Sequence, residues 1–452
     1  MKSVNPATGE VIQEYSEMSE VQVKDVIELN LEVWKEYRET RFTQRSQWMQ
    51  NAAALLRTRK EEYARLITAE MGKRIAESRS EVEKCAWVCE YYAEHAESML
   101  ADELMESDAS KSMAVFNPLG PVLAVMPWNF PFWQVFRFAA PALMAGNAGL
   151  LKHASNVQGC ALAIEQVFSD AGFPENIFRS LIISSSKVEA VIAHPAVRAV
   201  TLTGSEYAGS QVASLAGKYL KKSVLELGGS DPFIVLADAD LEEAAKVAVA
   251  SRMITSGQTC IAAKRFIVEE NVAAPFLEKV KTLMEAYQPG DPGSEETSLA
   301  PLARRDLVDD IEQQVNKSVE QGAEIISGGS RIPGIGNYYS PTILTNVKKG
   351  MPVYMEETFG PVAVVLPVKD EQEAIEVAND SLYGLGASLW TSDLEKGEEL
   401  ARKIEAGAIF INGLVKSDPR LPFGGIKNSG YGRELSGYGI KEFVNIKTVW
   451  IK

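Results

Sequence analysis

A cysteine and a glutamate, each in a glycine-containing segment, are the residues of this sequence best suited to covalent chemistry. Cys260 ends the run Ser-Gly-Gln-Thr-Cys, in which Gly257 and the small residues allow a tight turn that exposes a side chain. Glu226 lies between Val-Leu and Leu-Gly-Gly, an apolar setting in which burial would raise the pKa of its carboxyl toward neutrality. A single cysteine is more often a small buried hydrophobic residue, and a single glutamate a solvated charge. Together the two residues supply a nucleophile and a general base.

A third candidate is Asn129, in the run Pro-Trp-Asn-Phe-Pro of residues 127–131. A side-chain amide can donate a hydrogen bond to a developing oxyanion, although an asparagine near two prolines is also an ordinary turn residue. These motifs, together with the run Asn-Pro-Ala-Thr-Gly that begins at Asn5, resemble the aldehyde dehydrogenase superfamily and fall in the expected order. The resemblance covers nearly the whole chain.

The resemblance implies that the reaction takes place on Cys260. Its thiolate attacks an aldehyde to give a thiohemiacetal, hydride transfer to a nicotinamide gives a thioester, and water releases the acid. Glu226 would activate that water and is a further candidate to deprotonate the thiol, while Asn129 and the Cys260 backbone N–H would stabilise the tetrahedral oxygen. A glutamate at position 226 argues against a coenzyme-A-acylating member, in which this position is typically another residue.

Two strand-to-turn segments predict a dinucleotide site. Gly204 and Ser205 end a predicted strand and open a helix, where unpaired backbone N–H groups suit a pyrophosphate. Lys152 and Ser155 follow another predicted strand, and the resemblance assigns the lysine to the adenine-side ribose. A glutamate at the position of Ser155 would repel a 2′-phosphate, so serine there implies NADP use and leaves room for NAD. His153 replaces a more usual proline, and the sequence assigns it no role.

The run Glu-Glu-Thr-Phe-Gly-Pro of residues 356–361 resembles the nicotinamide-side motif of the same family. It implies that Glu357 binds that ribose and that Phe359 packs near the ring, although ordinary loop packing would also explain both. The resemblance further assigns Trp128 and Leu227 to the cofactor.

The candidate substrate residues are Trp133, Arg137 and Ser417. Arg137 is the only charged residue in the stretch 118–151 and lies four residues after Trp133, so one helix face carries both. A charge so surrounded must be paired, either within the chain or with a substrate carboxylate, which the arginine fork matches. Arg137 and Ser417 resemble the carboxylate-binding residues of the shorter bacterial succinate-semialdehyde dehydrogenases, although Ile254 stands where many of them carry a second arginine.

The resemblance therefore implies an enzyme that oxidises succinate semialdehyde to succinate with NADP. Two alternatives stay open at this point: a broad aliphatic or glutarate-semialdehyde dehydrogenase, and a non-catalytic homologue that keeps the fold. The presence of Cys260, Glu226 and Asn129 argues against the second alternative.

Composition limits the partners and the compartment. The chain has 452 residues and a net charge of −15, which disfavours nucleic acid and anionic membrane as partners. Its four cysteines are too few for a disulfide scaffold, and Cys85 and Cys89 are expected to be buried thiols rather than metal ligands. The three histidines show no metal-site spacing, and the N-terminus shows no apolar signal segment. We expect a cytoplasmic enzyme without a metal.

The elements that must position these residues follow an α/β pattern. The first hundred residues have mainly helical periodicity, with Gly72 as a break, and strands then alternate with helices. The predicted strands are 122–126, 149–152, 199–203, 233–236, 265–268, 362–366 and 408–411. Prolines and polar residues interrupt the apolar stretch 118–151, which predicts a strand, a turn and a short helix rather than a membrane span.

The family resemblance, rather than any visible linker, implies three parts. A Rossmann-like cofactor domain would comprise residues 1–98 and 119–227, and an α/β catalytic domain residues 228–432. A small β oligomerisation module would comprise residues 99–118 and 433–452. Edge strands of this module would pair between subunits, which implies a homodimer or homotetramer.

Overall fold

Strands and helices alternate along the chain after residue 118, which confirms the α/β prediction. The computed structural model describes residues 1–334 and 336–452. Its strands are β1 (Lys2–Val4), β2 (Val11–Glu14), β3 (Glu103–Leu104), β4 (Lys111–Pro118), β5 (Pro121–Met126), β6 (Ala148–His153), β7 (Phe178–Ser180), β8 (Ala199–Thr203), β9 (Lys222–Glu226), β10 (Asp231–Val235), β11 (Ala263–Glu269), β12 (Glu324–Ser327), β13 (Thr342–Thr345), β14 (Val362–Val368), β15 (Tyr383–Gly384), β16 (Gly386–Trp390), β17 (Ala408–Ile411), β18 (Ile426–Lys427), β19 (Gly430–Tyr431) and β20 (Val444–Ile451).

The helices cover the N-terminal hundred residues and the connections between strands. They are α1 (Glu20–Tyr37), α2 (Phe42–Thr58), α3 (Lys60–Met71), α4 (Ile75–Met99), α5 (Trp133–Met144), α6 (Gln158–Asp170), α7 (Val188–Ala193), α8 (Glu206–Lys218), α9 (Leu241–Met253), α10 (Glu270–Glu285), α11 (Arg305–Glu320), α12 (Pro352–Met355), α13 (Glu371–Asn379), α14 (Leu394–Ala401) and α15 (Ser436–Ile440). Short 3₁₀ helices span Ser185–Lys187 and Ile254–Gly257.

Local chemistry explains where several helices begin and end. Asp240 accepts hydrogen bonds from the N–H groups of residues 242 and 243 and so caps α9. Ser205 caps α8 in the same way. Gly72 follows α3 with φ 84°, a conformation that glycine adopts without strain, and it separates α3 from α4 as predicted. The helical prediction for the first hundred residues is wrong at β1 and β2, which pair antiparallel. These strands have three and four residues, too few to show the alternation of side chains that is typical of a strand.

The first large sheet has the order β19-β9-β8-β5-β6-β7, and it is parallel except for β19 at one edge. The carboxyl ends of parallel strands meet at one edge of a sheet, where α/β proteins bind ligands. Met126, His153, Thr203 and Glu226 are the last residues of β5, β6, β8 and β9. The segments with the predicted cofactor residues therefore begin at one edge of this sheet.

The second large sheet has the order β12-β13-β14-β11-β10-β16-β17, and it is parallel except for β12. The loop that carries Cys260 lies between α9 and β11 of this sheet. The thiol and Glu226 therefore come from different sheets, and packing between the sheets sets their relative position.

A third, antiparallel sheet has the order β20-β4-β3. Its register pairs Val444 with Pro118 and Ile451 with Lys111, so the C-terminal strand lies along the whole of β4. Ile446, Trp450 and Ile451 of β20 are exposed.

The apolar stretch 118–151 forms β5, a turn, α5 and β6, as predicted. Every residue of α5 is buried, and Pro141 lies inside this helix. In the described part of the chain, no helix combines the length and the apolar character that crossing a membrane requires.

Candidate active site

Cys260 follows a turn in which three consecutive residues have left-handed backbone. Thr255, Ser256 and Gly257 have φ values of 53°, 53° and 83°. This conformation is unfavourable for the first two because their side chains crowd the backbone, and such strain is found most often at functional sites. The Ser256 hydroxyl donates a hydrogen bond to the Ala300 carbonyl at 2.8 Å, which helps to hold the turn.

Two buried cations hold the carbonyl groups of this loop. Arg252 donates to the carbonyl of Gly257 at 2.6 Å and to that of Thr358 at 3.4 Å. Lys264 donates to the carbonyl of Cys260 at 2.7 Å and to two further carbonyls of the loop. The loop is thereby fixed from both ends, and the Cys260 N–H forms no hydrogen bond within the described residues.

The same loop is in close contact with the segment 356–361. A Cβ atom on Gly257 would collide with the carbonyl of Gly360, so only glycine fits there. Lys264 lies 3.6 Å from the carboxylate of Glu357, and that carboxylate also accepts the N–H of Gly229 at 3.0 Å. The cysteine loop and the predicted nicotinamide-side motif are thus joined at several points.

Burial raises the pKa of the Cys260 thiol to about 12, although the positive charges of Arg137 and Lys264 oppose the shift. The thiol is therefore protonated at neutral pH in the free protein. A base or a bound ligand must favour the thiolate before it can act as a nucleophile.

We expect the rate at which iodoacetamide labels Cys260 in the free protein to rise about tenfold per pH unit between pH 7 and 9, because the thiolate fraction rises by that factor below the pKa. The site of labelling is followed by mass spectrometry of peptides. Cys85, Cys89 and Cys160 are buried, so a Cys260→Ser variant should be labelled slowly throughout. A rate that stays flat with pH would mean that the thiolate already exists at neutral pH.

Glu226 is the last residue of β9, and 2% of its surface is exposed. Neither of its carboxylate oxygens accepts a hydrogen bond from the described residues. Burial, and then the negative charge of Glu434, raise the pKa of Glu226 well above its usual range, while Arg137 acts in the opposite direction. The direction of this shift is the one expected from the sequence, and it suits a carboxylate that takes and returns a proton.

Arg137 is buried and paired within the chain. Its guanidinium forms an ion pair with Glu434 and donates to the Thr203 hydroxyl at 3.1 Å. It also lies 4.7 Å from the centre of the Phe423 ring. The sequence left two interpretations of Arg137, a pair within the chain and a pair with a substrate carboxylate. Glu434 supplies the carboxylate for the pair within the chain.

Asn129 is buried and donates its amide to the carbonyl of Gln258 at 3.0 Å, two residues before the cysteine. One amide N–H is therefore engaged, and the second remains for another acceptor. The predicted oxyanion donor is in this way joined directly to the cysteine loop.

His153 holds the loop that carries Asn129. Its Nε2 lies 2.8 Å from the Pro131 carbonyl, and its Nδ1 lies 2.9 Å from the N–H of Ala154. Both contacts are satisfied by the neutral ring with the proton on Nε2. Burial lowers the pKa of His153 to about 4, which keeps the ring neutral. The sequence assigned His153 no role, and these contacts give it a structural one.

Cys260 lies on the wall of a cavity of about 440 Å³. Trp133, Arg137, Ser417 and Ile254 also line this cavity, so the three predicted substrate residues and the thiol face one space. Asn129 and Glu226 are not part of its lining. The indole N–H of Trp133 donates to the Ser417 hydroxyl at 3.1 Å, which joins two of the predicted substrate residues.

The predicted nicotinamide-side residues lie close together. The rings of Trp128 and Phe359 pack edge to face, with centres 5.8 Å apart. A Cβ atom on Gly228 would lie 2.5 Å from the Glu357 carboxylate, so glycine leaves room for that side chain. Leu227 packs against Gly209 of α8.

The predicted adenine-side residues also fit a phosphorylated ribose. Lys152 is half-buried, forms no ion pair within the described residues, and precedes the exposed turn that carries Ser155. Burial lowers the pKa of Lys152, as expected for an amine without a counter-ion. Gly204 donates its N–H to the carbonyl of Glu226 at 3.0 Å, so this N–H is not available to the cofactor. Because glycine has no side chain, the cofactor can still approach the backbone closely at this position. Ser205 uses its hydroxyl to cap α8.

Four charged residues near the site were not predicted from the sequence: Lys84, Glu434, Lys264 and Arg252. The last two lie near Cys260 along the chain, in segments that are largely apolar, and this setting could have indicated buried cations. Lys84 and Glu434 belong to ordinary charged segments, and only the fold brings them to the cavity or to Arg137. In the described residues, no group of three or more His, Cys, Asp and Glu side chains is arranged to hold a metal ion.

The profile of the aldehyde dehydrogenase family matches residues 1–449. The chain is 54% identical over 449 residues, 99% of both chains, to a Synechocystis sp. protein named probable succinate-semialdehyde dehydrogenase, NADP(+). It is 47% identical over 448 residues, 99% of this chain and 97% of the other, to the Escherichia coli (strain K12) protein named succinate semialdehyde dehydrogenase, NAD(P)+, Sad. A crystal structure of succinic semialdehyde dehydrogenase from Streptococcus pyogenes in complex with NADP+ matches with a TM-score of 0.98 and 40% identity, covering 100% of this chain and 99% of that chain.

Proposed function

Since this chain belongs to the aldehyde dehydrogenase family, we propose that it oxidises succinate semialdehyde to succinate with NADP as the hydride acceptor and NAD as a second acceptor. The observation that carries this proposal is the cavity in which Cys260 faces a cluster of polar groups around Ser417. An aldehyde carbon at the thiol would leave a terminal carboxylate to meet that cluster.

In the proposed reaction, Glu226 accepts the thiol proton, directly or through water, and the Cys260 sulfur attacks the aldehyde carbon. A C–S bond forms, the carbonyl π bond breaks, and the oxygen takes the negative charge. The unengaged amide N–H of Asn129 and the N–H of Cys260 stabilise this charge. A bound nicotinamide supplies the acceptor for the hydride that leaves the same carbon, and a thioester on Cys260 remains.

Glu226 next passes the thiol proton to solvent, and water then attacks the thioester while Glu226 takes one of the water protons. The C–S bond breaks, the carboxylic acid leaves, and the sulfur takes a proton back from Glu226, which restores the thiol for another cycle. A carboxyl group whose pKa is raised by burial suits both proton transfers, because its proton affinity approaches that of its partners at neutral pH.

The cofactor is proposed to lie along the carboxyl edge of the first sheet. Glu357 would bind the nicotinamide-side ribose, and Trp128 and Phe359 would flank the ring. Lys152 and Ser155 would face the 2′-phosphate of NADP. These residues fit the group because the half-buried Lys152 ammonium has no carboxylate partner among the described residues.

The proposed function is tested by kcat/KM for succinate semialdehyde and for butanal, which has a methyl group in place of the carboxylate, with NADP in both assays. We expect the semialdehyde to be preferred about a hundredfold, or about 2.7 kcal/mol. Repeating both assays with NAD separates the choice of cofactor from the choice of aldehyde. Equal values for the two aldehydes would leave a broad aldehyde dehydrogenase and remove succinate semialdehyde as the specific substrate.

The domain arrangement and the assembly are also proposals. Strands β5 to β9 with α1 to α8 would form the cofactor domain, the second sheet the catalytic domain, and the third sheet the oligomerisation module. Strand β19, from the range expected for the catalytic domain, pairs with β9 at the edge of the first sheet. The exposed apolar side chains of β20 support pairing between subunits, as a homodimer or homotetramer. Four free cysteines support a reducing compartment, the cytoplasm.

A further inference from the structure

One cation on the cavity wall has no carboxylate partner in the described part of the chain. Lys84, on α4, is half-buried and lines the cavity together with Cys260. Its Nζ donates to the Ser417 hydroxyl at 2.8 Å and lies 4.2 Å from the centre of the Trp133 ring. It forms no ion pair among the residues described. A half-buried ammonium without a counter-ion is costly for the fold unless a ligand supplies the negative charge.

The carboxylates around Lys84 are engaged elsewhere. Glu81, one turn earlier on α4, forms an ion pair with the buried Lys73 and accepts two backbone N–H groups at the start of α5. Asp418 accepts two hydrogen bonds from the side chain of Arg420, at 2.8 and 2.7 Å. Neither carboxylate is available as the counter-ion of Lys84.

The other cations of the cavity differ from Lys84 in this respect. Arg137 is paired with Glu434, and Arg74 is paired with Glu77 at 3.0 Å. Lys416 also lines the cavity, but its side chain is exposed to solvent.

The hydrogen-bond donors at Lys84 and Ser417 add a second argument. The Ser417 oxygen accepts from Lys84 and from the indole N–H of Trp133, at 2.8 and 3.1 Å. A hydroxyl oxygen has two acceptor positions, so its own O–H must point to a third group. The ammonium has two further N–H groups. Three donors therefore meet at one part of the wall, and a carboxylate has enough lone pairs to accept all of them.

We propose that Lys84 is a further residue that binds the carboxylate of the aldehyde substrate, with the Ser417 hydroxyl as its partner and Trp133 fixing both. This inference rests on the proposed function and makes it more specific. In it, Lys84 adds a second positive charge to that of Arg137, which lines the same cavity and is paired with Glu434 within the chain. The chemical class selected is an aldehyde with a terminal carboxylate, since a methyl group would leave the three donors without acceptors.

The charge state of Lys84 gives the proposal a pH signature. Burial, and then the positive charge of Arg137, lower the pKa of Lys84 to about 8, against the opposite effects of Cys85, Glu81 and Asp418. Above this pH the free enzyme loses the positive charge that a carboxylate requires. KM for succinate semialdehyde should therefore rise above pH 8, while KM for butanal should not follow it.

The test compares Lys84→Met, Lys84→Arg and Lys416→Met, each assayed with succinate semialdehyde and with butanal in the presence of NADP. We expect Lys84→Met to raise KM for the semialdehyde about a hundredfold, with kcat and the butanal parameters within a few-fold of the parent. Lys84→Arg should retain most of the preference for the semialdehyde, because it keeps a positive charge. Lys416→Met, the matched change at the exposed rim, should have a much smaller effect on this preference.

The outcomes separate this inference from the proposed function. If the parent enzyme prefers succinate semialdehyde and Lys84→Met keeps that preference, the role of Lys84 is wrong and the proposed function stands. Equal losses for both aldehydes would assign Lys84 to packing, and a larger loss in Lys416→Met would move the carboxylate to the rim. If neither Lys84 variant folds, the pH dependence of KM in the parent decides, and a flat profile through pH 8 to 9 overturns the proposal.

Discussion

Replacing Glu226 with glutamine should lower steady-state kcat by about a hundredfold to ten-thousandfold, the range attributed to a general base. Glutamine keeps the size of the side chain and cannot accept a proton. If hydrolysis becomes the slow step, the first turnover should still release about one NADPH per active subunit before the rate falls. Stopped-flow absorbance at the NADPH band measures the initial burst and the slow phase separately.

The pH dependence of kcat gives a second readout of the same variant. A buried carboxyl with a raised pKa is active only above that pKa, so kcat of the parent should rise with pH through it, and the glutamine variant should lose this rise. Glu39→Gln changes an exposed glutamate outside the cavity lining and should leave both phases unchanged. Undiminished turnover in Glu226→Gln would assign the base to another residue, and loss of the burst would show that Glu226 also deprotonates Cys260.

Replacing Asn129 with alanine should lower kcat by about a hundredfold to a thousandfold with little change in KM, the effect typical of removing one oxyanion donor. The substitution removes the amide N–H that remains after the bond to Gln258. Since the lost hydrogen bond forms mainly in the transition state, binding of the ground-state aldehyde should be nearly unaffected. Steady-state kinetics and the Kd for NADP measure the two effects independently.

A matched control is Asn147→Ala, which also removes a buried asparagine. The Asn147 side chain accepts the N–H of Gly120 at 3.0 Å and does not line the cavity. We expect this variant to lose stability, seen as a lower Tm, and to keep kcat within a few-fold. A similar fall in kcat in both variants would mean that Asn129 matters for folding of the loop rather than for the oxyanion.

The position of the site at the ends of strands could be predicted because the signals are local. Glu226 is flanked by apolar residues and glycines, and Ser205 stands where a helix cap is expected. Such patterns depend on a few neighbours along the chain, so they can be recognised without knowledge of the fold. The α/β alternation is visible for the same reason.

The partners of the buried charges could not be predicted in this way. Lys84 and Ser417 are separated by 333 residues, and no spacing rule connects them. Arg137 was correctly expected to be paired, but the choice between a substrate and Glu434 depends on how two distant segments pack. The strain at Thr255 was also hidden, because its side chain is not one that normally adopts left-handed backbone.

The contacts between the cysteine loop and the segment 356–361 limit how this enzyme can be recombined with its relatives. Arg252 donates to the carbonyl of Thr358, which lies 106 positions later in the chain. Gly257 packs so closely against the Gly360 carbonyl that no side chain fits at position 257. A chimera that takes one of the two segments from another protein would import a turn without its matching surface. The two segments therefore form a single unit of exchange, and a single crossover placed between residues 260 and 356 would separate them.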